Sequence, residues 1–185
     1  MVKLNKIYTR TGDGGESGLV DGSRAPKHDP RFAAIGDVDE ANSAIGMAVL
    51  AVTDRAALGM LGRIQNELFD LGADLATPAG IEGALRVVPE QIERLEREID
   101  TMNADLQDLR SFILPGGGGG SAQLHLSRAV VRRAERTAFG AGAGFNPLAL
   151  TYLNRLSDHL FVLARWVARE RGGDIIWQPG ATRDG

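Results

Sequence analysis

The sequence predicts an all-α protein, a five-helix antiparallel bundle with a glycine-rich N-terminal loop. Five segments of about 15 to 25 residues carry apolar residues at the three-four spacing of one helix face. Short breaks rich in proline or glycine separate these segments. Evidence for strands is confined to Ile175-Ile176-Trp177. We therefore expect one domain, residues 1–185, divided into a loop (1–31), a helical bundle (32–171) and a C-terminal tail (172–185).

The composition excludes several classes of protein. The 185 residues are enough for a substantial core, and 43% of them are hydrophobic. A net charge of −3 argues against nucleic-acid binding through bulk electrostatics. No apolar run reaches membrane-spanning length, so no membrane segment is expected. The absence of cysteine excludes disulfides and thiolate metal sites, and it is compatible with a cytoplasmic protein.

The first two helices are predicted before and after Asp54. The first runs from about Phe32 to Thr53, and Pro26 and Pro30 are expected to block an earlier start. Its apolar face is made mostly of small residues, which let a neighbouring helix pack closely: Ala34, Val38, Ala41, Ile45 and Ala48. The second helix runs from about Arg55 to Leu75 and ends before a Thr-Pro-Ala-Gly turn at residues 77–80.

The remaining three helices are predicted from their first residues. Pro89 suits the start of the third helix, whose apolar stripe is Ile92, Leu95, Ile99, Met102 and Leu106. Five glycines, residues 116–120, then interrupt the helical pattern, since each costs roughly 1 kcal/mol in a helix interior. Ser121 is expected to cap the fourth helix, which extends to about Phe139. Asn146 and Pro147 open the last helix, which extends to about Arg171.

The N-terminal run from Lys6 to Gly18 combines hydroxyls, cations and glycines in a segment too polar for a core. Glycines let backbone N–H groups approach a ligand closely, and hydroxyls and cations bind phosphate oxygens. The run therefore indicates a phosphate-binding loop. The five-glycine run is not a Walker A loop, because no Gly-Lys-Ser/Thr follows it, and a flexible connector is its simplest interpretation.

Polar stripes on the last two helices are a second candidate site. The fourth helix carries His125, Arg128, Arg132, Glu135 and Phe139 at three-four spacing, flanked by Arg133 and Arg136. The last helix carries Asn154, Asp158, Phe161 and Arg165. Two arginines one turn apart match a polyphosphate or a pair of carboxylates. A solvated basic face is the simpler alternative for such a helix.

Other polar residues are less informative. Asp39 lies on a helix of small residues, where a buried carboxylate would need an arginine partner. His28, His125 and His159 show no metal-ligand spacing, and no metal ligands are assigned. The residues alone thus predict a helical bundle that binds a nucleotide or polyphosphate.

Five motifs follow one another along almost the whole chain: Lys6–Gly15, Gly36–Ser43, Phe112–Gly117, Arg128–Arg136 and Leu153–Asp158. In this order and spacing they resemble the PduO-type ATP:cob(I)alamin adenosyltransferases. It implies a homotrimer of five-helix bundles with active sites between neighbouring subunits. It also implies an enzyme that transfers the 5′-deoxyadenosyl group of ATP to cob(I)alamin, with adenosylcobalamin and triphosphate as products.

The resemblance also implies roles for individual residues. The triphosphate, with Mg²⁺ bridging its oxygens, would be held by Thr9, Arg10, Thr11, Gly12, Ser17, Gly18 and Lys27. The ATP site would be completed by Arg132, Arg133, Glu135, Arg136 and Asn154. Arg128 would pair with Asp39 of the adjacent subunit. Phe112 would sit over the corrin ring and displace the lower axial ligand of cobalt.

The resemblance extends to partners. It implies delivery of adenosylcobalamin to a dependent mutase, a flavin reductase as a source of electrons, and a cytoplasmic location. Two departures from the family pattern are visible: Gly14 stands where many relatives have lysine, and residues 116–120 are unusually rich in glycine. A cobalamin carrier and a nucleotide-sensing bundle without chemistry are the alternative functions. Retention of the ATP-binding residues favours the enzyme over the carrier, and Phe112 in its Phe-Ile-Leu-Pro context disfavours the sensor.

Overall fold

The computed structural model describes residues 7–142 and 144–183. Residues 1–6 lie outside the described residues, and they include Lys6, the first residue of the predicted phosphate-binding loop. The described residues form five helices: α1 (Pro30–Val49), α2 (Arg55–Leu75), α3 (Pro89–Ala104), α4 (Ser121–Gly140) and α5 (Pro147–Ala168). They also form a two-stranded hairpin of β1 (Glu16–Gly18) and β2 (Arg24–Pro26).

The helices pack side by side around one apolar core. Helix α1 lies between α2 and α4, and α5 lies between α4 and α3 while also touching α2. The core contains leucines from all helices except α1, which contributes small residues and Ile45. Because α1 presents Ala34, Ala41 and Ala48 to its neighbours, α4 can approach it closely, as the apolar pattern predicted.

Local chemistry fixes most of the helix starts. Asp54 accepts a hydrogen bond from Ala57 N at 2.9 Å, and Asn146 accepts one from Leu148 N at 3.1 Å. The expectation that Pro30 prevents an early start was wrong. Asp29 caps α1, and proline is tolerated as the first helical residue because its missing N–H has no intrahelical partner there.

The start of α4 also differs from the prediction. Gly120, in the left-handed region at φ 92°, is the capping residue, and Ser121 is the first residue of the helix. A Cβ atom at Gly120 would lie 2.6 Å from Val52 Cγ2. Atoms of Arg171 and Val167 crowd Gly118 and Gly119 in the same way. The glycine run is therefore a packed connector rather than a flexible one.

Both ends of the chain gain structure beyond the predicted helices. The β1–β2 hairpin was not predicted, although its Asp21-Gly22 dipeptide is a recognised turn signal. Helix α5 ends at Ala168 rather than Arg171, because Gly173 N donates to Ala168 O in a left-handed C-terminal cap. The expected strand at residues 175–177 is present as a single antiparallel bridge between Ile113 and Ile176.

The N-terminal hairpin and Phe112 lie at opposite ends of the bundle. Val20 N donates to Ala76 O, which fixes the hairpin beside the C-terminus of α2 and the N-terminus of α1. Phe112 instead lies near the start of α4 and the end of α5, where α1 finishes. Since α1 has 20 residues, the two ends are roughly 30 Å apart.

Candidate functional site

An open cavity of about 460 Å³ surrounds Phe112, and we call it the Phe112 cavity. Phe161 of α5 and Ile113 supply apolar walls, and His125 and Arg128 of α4 line the same space. The Phe112 side chain is 77% exposed. A large aromatic ring held in the open beside an apolar cavity is typical of a binding surface for a flat apolar ligand.

The C-terminal tail holds Phe112 in place. Trp177 N donates to Phe112 O at 2.9 Å, and Leu114 N donates to Ile175 O at 2.8 Å. The rings of Phe112 and Trp177 meet edge to face with centroids 6.1 Å apart. Phe112 is therefore fixed by backbone pairing on both sides, although its side chain is exposed.

Arg128 places a cation at the wall of the Phe112 cavity. Its guanidinium lies over the Phe161 ring, 5.4 Å from the centroid. Burial and the neighbouring Arg132 lower the pKa of Arg128 from its usual value. Burial, followed by the charge of Arg128, lowers the pKa of His125, so this imidazole is neutral at pH 7. The cavity thus combines two arginines, Arg110 and Arg128, with a neutral imidazole and apolar walls.

The outer surface of α4 and α5 continues from this cavity toward the other end of the bundle, and we call it the α4–α5 face. Asn154 Nδ2 donates to Glu135 Oε1 at 2.8 Å, which joins the two helices. Arg136 donates to the backbone O of Arg132 at 2.9 Å. Among the described residues, the exposed Arg132 guanidinium has no hydrogen-bond or ion-pair partner. A free guanidinium beside a fixed carboxylate and amide can bind a phosphate or a nucleotide.

Arg133 is not brought to this face. Its guanidinium forms ion pairs with Glu40 and with Asp37 of α1, at 3.4 Å from Asp37 Oδ1. The hydrogen bond to Glu40 raises the pKa of Arg133. Arg133 therefore faces α1, whereas Arg132 and Arg136 lie on the α4–α5 face.

Asp39 is exposed on the surface of α1 rather than buried. It lines two shallow cavities between α1 and α2, beside Asn42 and the exposed Phe69. Within the part of the chain that is described, the carboxylate has no hydrogen-bond or ion-pair partner, and Arg128 lies beside α5 instead. A partner for Asp39 would have to come from another molecule.

The predicted phosphate-binding loop is an ordered turn. Thr9 Oγ1 and Thr11 Oγ1 share a hydrogen bond of 2.8 Å, and Arg10 adopts a left-handed conformation at φ 62°. The Lys27 ammonium packs against Gly12, where an added Cβ atom would lie 3.2 Å from Nζ. Ser17 and Gly18 lie in β1, which pairs with β2. Hydroxyls, a cation and exposed backbone thus converge at one end of the bundle.

Sequence reasoning missed two arginines that organise these regions. Arg24 Nη2 donates to Thr11 O at 2.7 Å and to Glu16 O at 3.2 Å, which ties the loop to the hairpin. Arg165 was assigned to the polar stripe, but it is 5% exposed and bonds to Asp174 Oδ2 and Gln107 O. The turn signal at residues 21–22 could have indicated the role of Arg24. No local pattern indicates the partners of Arg165.

The opposite side of α5 carries a second set of polar residues. Tyr152 OH donates to Glu67 Oε2 at 2.7 Å, and Glu67 pairs with Arg94. His159 Nε2 lies 2.9 Å from Glu98 Oε2. We call this group the α2–α3–α5 network; its members are Arg63, Glu67, Arg94, Glu98, Tyr152 and His159. Its charges neutralise one another, so the network has a structural role.

The described residues contain no group of three or more His, Cys, Asp or Glu side chains that could hold a metal ion. None of their helices is both long and apolar enough to cross a membrane.

Comparison with known proteins decides the family. The cobalamin adenosyltransferase family model matches residues 7–167. The chain belongs to this family. The matched region includes both the N-terminal loop and the Phe112 cavity, so both regions are part of what this adenosyltransferase shares with its relatives.

Several relatives match almost the full chain. The corrinoid adenosyltransferase of Mycobacterium tuberculosis is 49% identical over 191 residues, covering 98% of this chain and 97% of that protein. The cobalamin adenosyltransferase of Cupriavidus metallidurans is 48% identical, covering 95% and 96%. A structure of a variant PduO-type ATP:corrinoid adenosyltransferase from Lactobacillus reuteri, complexed with cobalamin and ATP, superposes with a TM-score of 0.86. It is 35% identical and covers 94% of this chain and 99% of that one.

Proposed function

We propose that this adenosyltransferase transfers the 5′-deoxyadenosyl group of ATP to the cobalt of cob(I)alamin. The observation that carries the proposal is the Phe112 cavity, an apolar ring site that continues into the α4–α5 face with its free Arg132. The site therefore offers a place for a flat macrocycle beside a place for a nucleotide. Family membership makes these two ligands a corrinoid and ATP.

The chemistry requires little acid–base assistance from the protein. Co(I) attacks C5′ of ATP with its electron pair, the Co–C bond forms, and the C5′–O bond breaks as triphosphate leaves with the bonding pair. The protein contributes the relative position of the two reactants and the charges that stabilise the leaving group. This division of labour agrees with a site that contains arginines but no nucleophile–base pair.

Phe112 would act on the corrin side. An apolar ring pressed against the lower face of the corrin displaces the lower axial ligand of Co(II), and cobalt becomes four-coordinate. Reduction to Co(I) by one electron is then easier, because the electron enters an orbital that the ligand otherwise destabilises. The backbone pairing of Phe112 with Trp177 supports this role, since a wedge must resist displacement by the ligand it removes.

The ATP side would use both the N-terminal loop and the α4–α5 face. The triphosphate would be held, together with Mg²⁺ that would supply positive charge, by Thr9, Arg10, Thr11, Gly12, Ser17, Gly18 and Lys27. Arg132, Glu135, Arg136 and Asn154 would hold the rest of the nucleotide. Arg133 is the exception: its ion pairs with α1 favour a supporting role behind the ATP site.

These two parts of the ATP site would come from different chains. No hydrogen bond or ion pair among the described residues joins residues 9–27 to α4 or α5. We therefore propose a homotrimer in which the loop of one subunit completes the site on the α4–α5 face of its neighbour. Asp39, which has no partner among the described residues and would meet Arg128 of the adjacent subunit, supports the same arrangement.

Delivery of adenosylcobalamin to a mutase, supply of electrons by a flavin reductase and a cytoplasmic location stay predictions. They agree with an apolar cavity that is open to a partner and with a chain that lacks cysteine.

The test is anaerobic mixing of the protein with ATP, Mg²⁺ and chemically reduced cobalamin, followed by corrin absorbance. We expect conversion to adenosylcobalamin with stoichiometric release of triphosphate. A carrier would bind adenosylcobalamin without forming it, and a nucleotide sensor would leave the corrin spectrum unchanged. Either result, obtained with folded trimeric protein, would refute the enzymatic function.

A further inference from the structure

A second cavity, of about 720 Å³, adjoins the Phe112 cavity. Leu109, Arg110 and Ser111 line both spaces, so the segment leading to Phe112 forms their common wall. Cavities that hold small-molecule ligands are about 300–1,000 Å³ in volume, which makes the second cavity large enough for a ligand of its own.

A buried side-chain clamp fixes the shape of the second cavity. Arg165, 5% exposed, donates to Asp174 Oδ2 at 2.9 Å and to Gln107 O at 2.6 Å. The clamp joins α5, the C-terminal tail and the connection between α3 and α4. Gly173, at φ +75°, brings bare backbone to the lining. The cavity is therefore built by a specific polar contact between three segments.

The charges that remain free in the cavity suggest the chemistry of its ligand. Asp174 is neutralised by Arg165, whereas Arg110 and Asp108 have no ion-pair partner in the part of the chain that is described. A free guanidinium suits a phosphate, and a free carboxylate suits sugar hydroxyl donors. Leu109 and Ile176 provide apolar contacts for a ring. These features together match a nucleotide that carries one phosphodiester charge.

The proposed function supplies such a nucleotide. In cobalamin the lower axial base is tethered to the corrin through a ribose and a phosphodiester, so displacement by Phe112 leaves this arm attached and needing a new location. We propose that the second cavity receives the displaced nucleotide arm, with its phosphodiester on Arg110; the inference rests on the proposed function. Binding there would favour the four-coordinate state, because the arm would have its own contacts away from cobalt.

The experiment compares cobalamin with cobinamide, which has the corrin ring but lacks the nucleotide arm. Two variants alter the second cavity: Arg110→Glu reverses its free cation, and Gln107→Trp fills space that is not part of the Phe112 cavity. Arg171→Glu is the control, an equal charge change at the same end of the bundle but outside both cavities. Each protein is assayed with both corrinoids and ATP, and the base-off fraction of bound cob(II)alamin is measured from its spectrum.

We expect both cavity variants to raise KM for cobalamin by about tenfold or more, and to lower the base-off fraction. KM for cobinamide should change less than about twofold in Gln107→Trp, because Gln107 lines only the second cavity. Activity with cobinamide also reports that the variants are folded. Equal losses with both corrinoids in Gln107→Trp, or no loss with cobalamin in either variant, would overturn the inference. If the unmodified protein adenosylates neither corrinoid, the proposed function itself has failed.

Discussion

Helix α5 presents polar residues on two sides, and the two sides differ in whether their charges are paired within the chain. Toward α2 and α3, Tyr152 and His159 are buried and bond to glutamates. Toward solvent, Asn154 is exposed and donates to Glu135 of α4, and the exposed guanidinium of Arg132 on the same helix has no partner among the described residues. In the sequence, both sides look alike, because each has polar residues among the apolar residues of the helix.

The difference shows which polar residues support the fold and which remain available to a ligand. Buried charges are tolerated only when they are paired, so the α2–α3–α5 network must close on itself. An exposed charge has no such requirement and can stay free for a ligand. Pairing within the chain, rather than polarity along a helix, separates the two functions.

The largest expected effect tests the paired side. Glu67→Ala removes the acceptor of Tyr152 and the partner of Arg94, and it leaves both buried or half-buried groups uncompensated. We expect a loss of about 3 kcal/mol in the free energy of unfolding, measured by urea denaturation. The control Glu93→Ala, on the exposed side of α3, should change it by less than about 0.5 kcal/mol. A similar small change for Glu67→Ala would show that the network is not structural.

The second prediction tests the open side. Arg132→Ala should lower kcat/KM for ATP roughly 30-fold, because a charge-assisted contact to the nucleotide is lost. This factor corresponds to about 2 kcal/mol of transition-state stabilisation. The free energy of unfolding should change by less than about 0.5 kcal/mol, since the guanidinium has no partner among the described residues. Arg97→Ala is the matched control on α3. Unchanged ATP kinetics for Arg132→Ala would remove Arg132 from the site.

The third prediction separates the corrin site from the nucleotide site. Phe112→Ala should slow turnover with cob(II)alamin and a reductant by at least about tenfold, roughly 1.4 kcal/mol, because the lower ligand is no longer displaced. KM for ATP should stay the same, and Phe112→Leu should retain most of the activity. A parallel rise in KM for ATP would argue against the wedge role.

The smallest expected effect concerns acid stability on the paired side. Burial acts to raise the pKa of Glu98, but hydrogen bonds from His159 and Arg63 outweigh it and hold the pKa below its usual value. Its contribution to stability is therefore present above about pH 4.3 and is lost as pH falls further, through the lowered pKa. Glu98→Gln should flatten this part of the stability curve, measured by urea unfolding from pH 6 downward. If the free energy of unfolding of Glu98→Gln depends on pH as in the unmodified protein, another group is responsible for the acid sensitivity.

The sequence predicted the helices well because each buries one apolar face. The bounds of α2 agree to the residue, since Asp54 and the turn after Leu75 are local signals. Other features depend on contacts between distant segments. Gly120 caps α4 because Val52 leaves no room for a side chain, a cause that is not visible in the residues beside the helix. The end of α5 is different, since Gly172 and Gly173, which close it, stand just after the helix.

The candidate site was predicted less completely than the fold. Helical spacing predicted one face for Arg132 and Glu135, because residues one turn apart share a face. The structure joins Glu135 of that face to Asn154 of α5. The same spacing could not separate Arg133, which turns to α1, or Arg165, which is buried in the tail clamp. Helical spacing shows on which face of a helix a residue lies, but the segment that packs against that face depends on the tertiary fold.

The separation of the N-terminal hairpin and Phe112 by the length of α1 has a genetic consequence. Suppose that each site takes its N-terminal loop from one subunit and Phe112 from the next. A substitution in the loop and a substitution at Phe112 then affect different subunits of the same site. One chain inactivated at Lys27 and another inactivated at Phe112 would then restore activity when coassembled. Random mixing in equal amounts would leave about a quarter of the sites with both intact parts. Two null alleles of this gene could therefore complement each other in one cell.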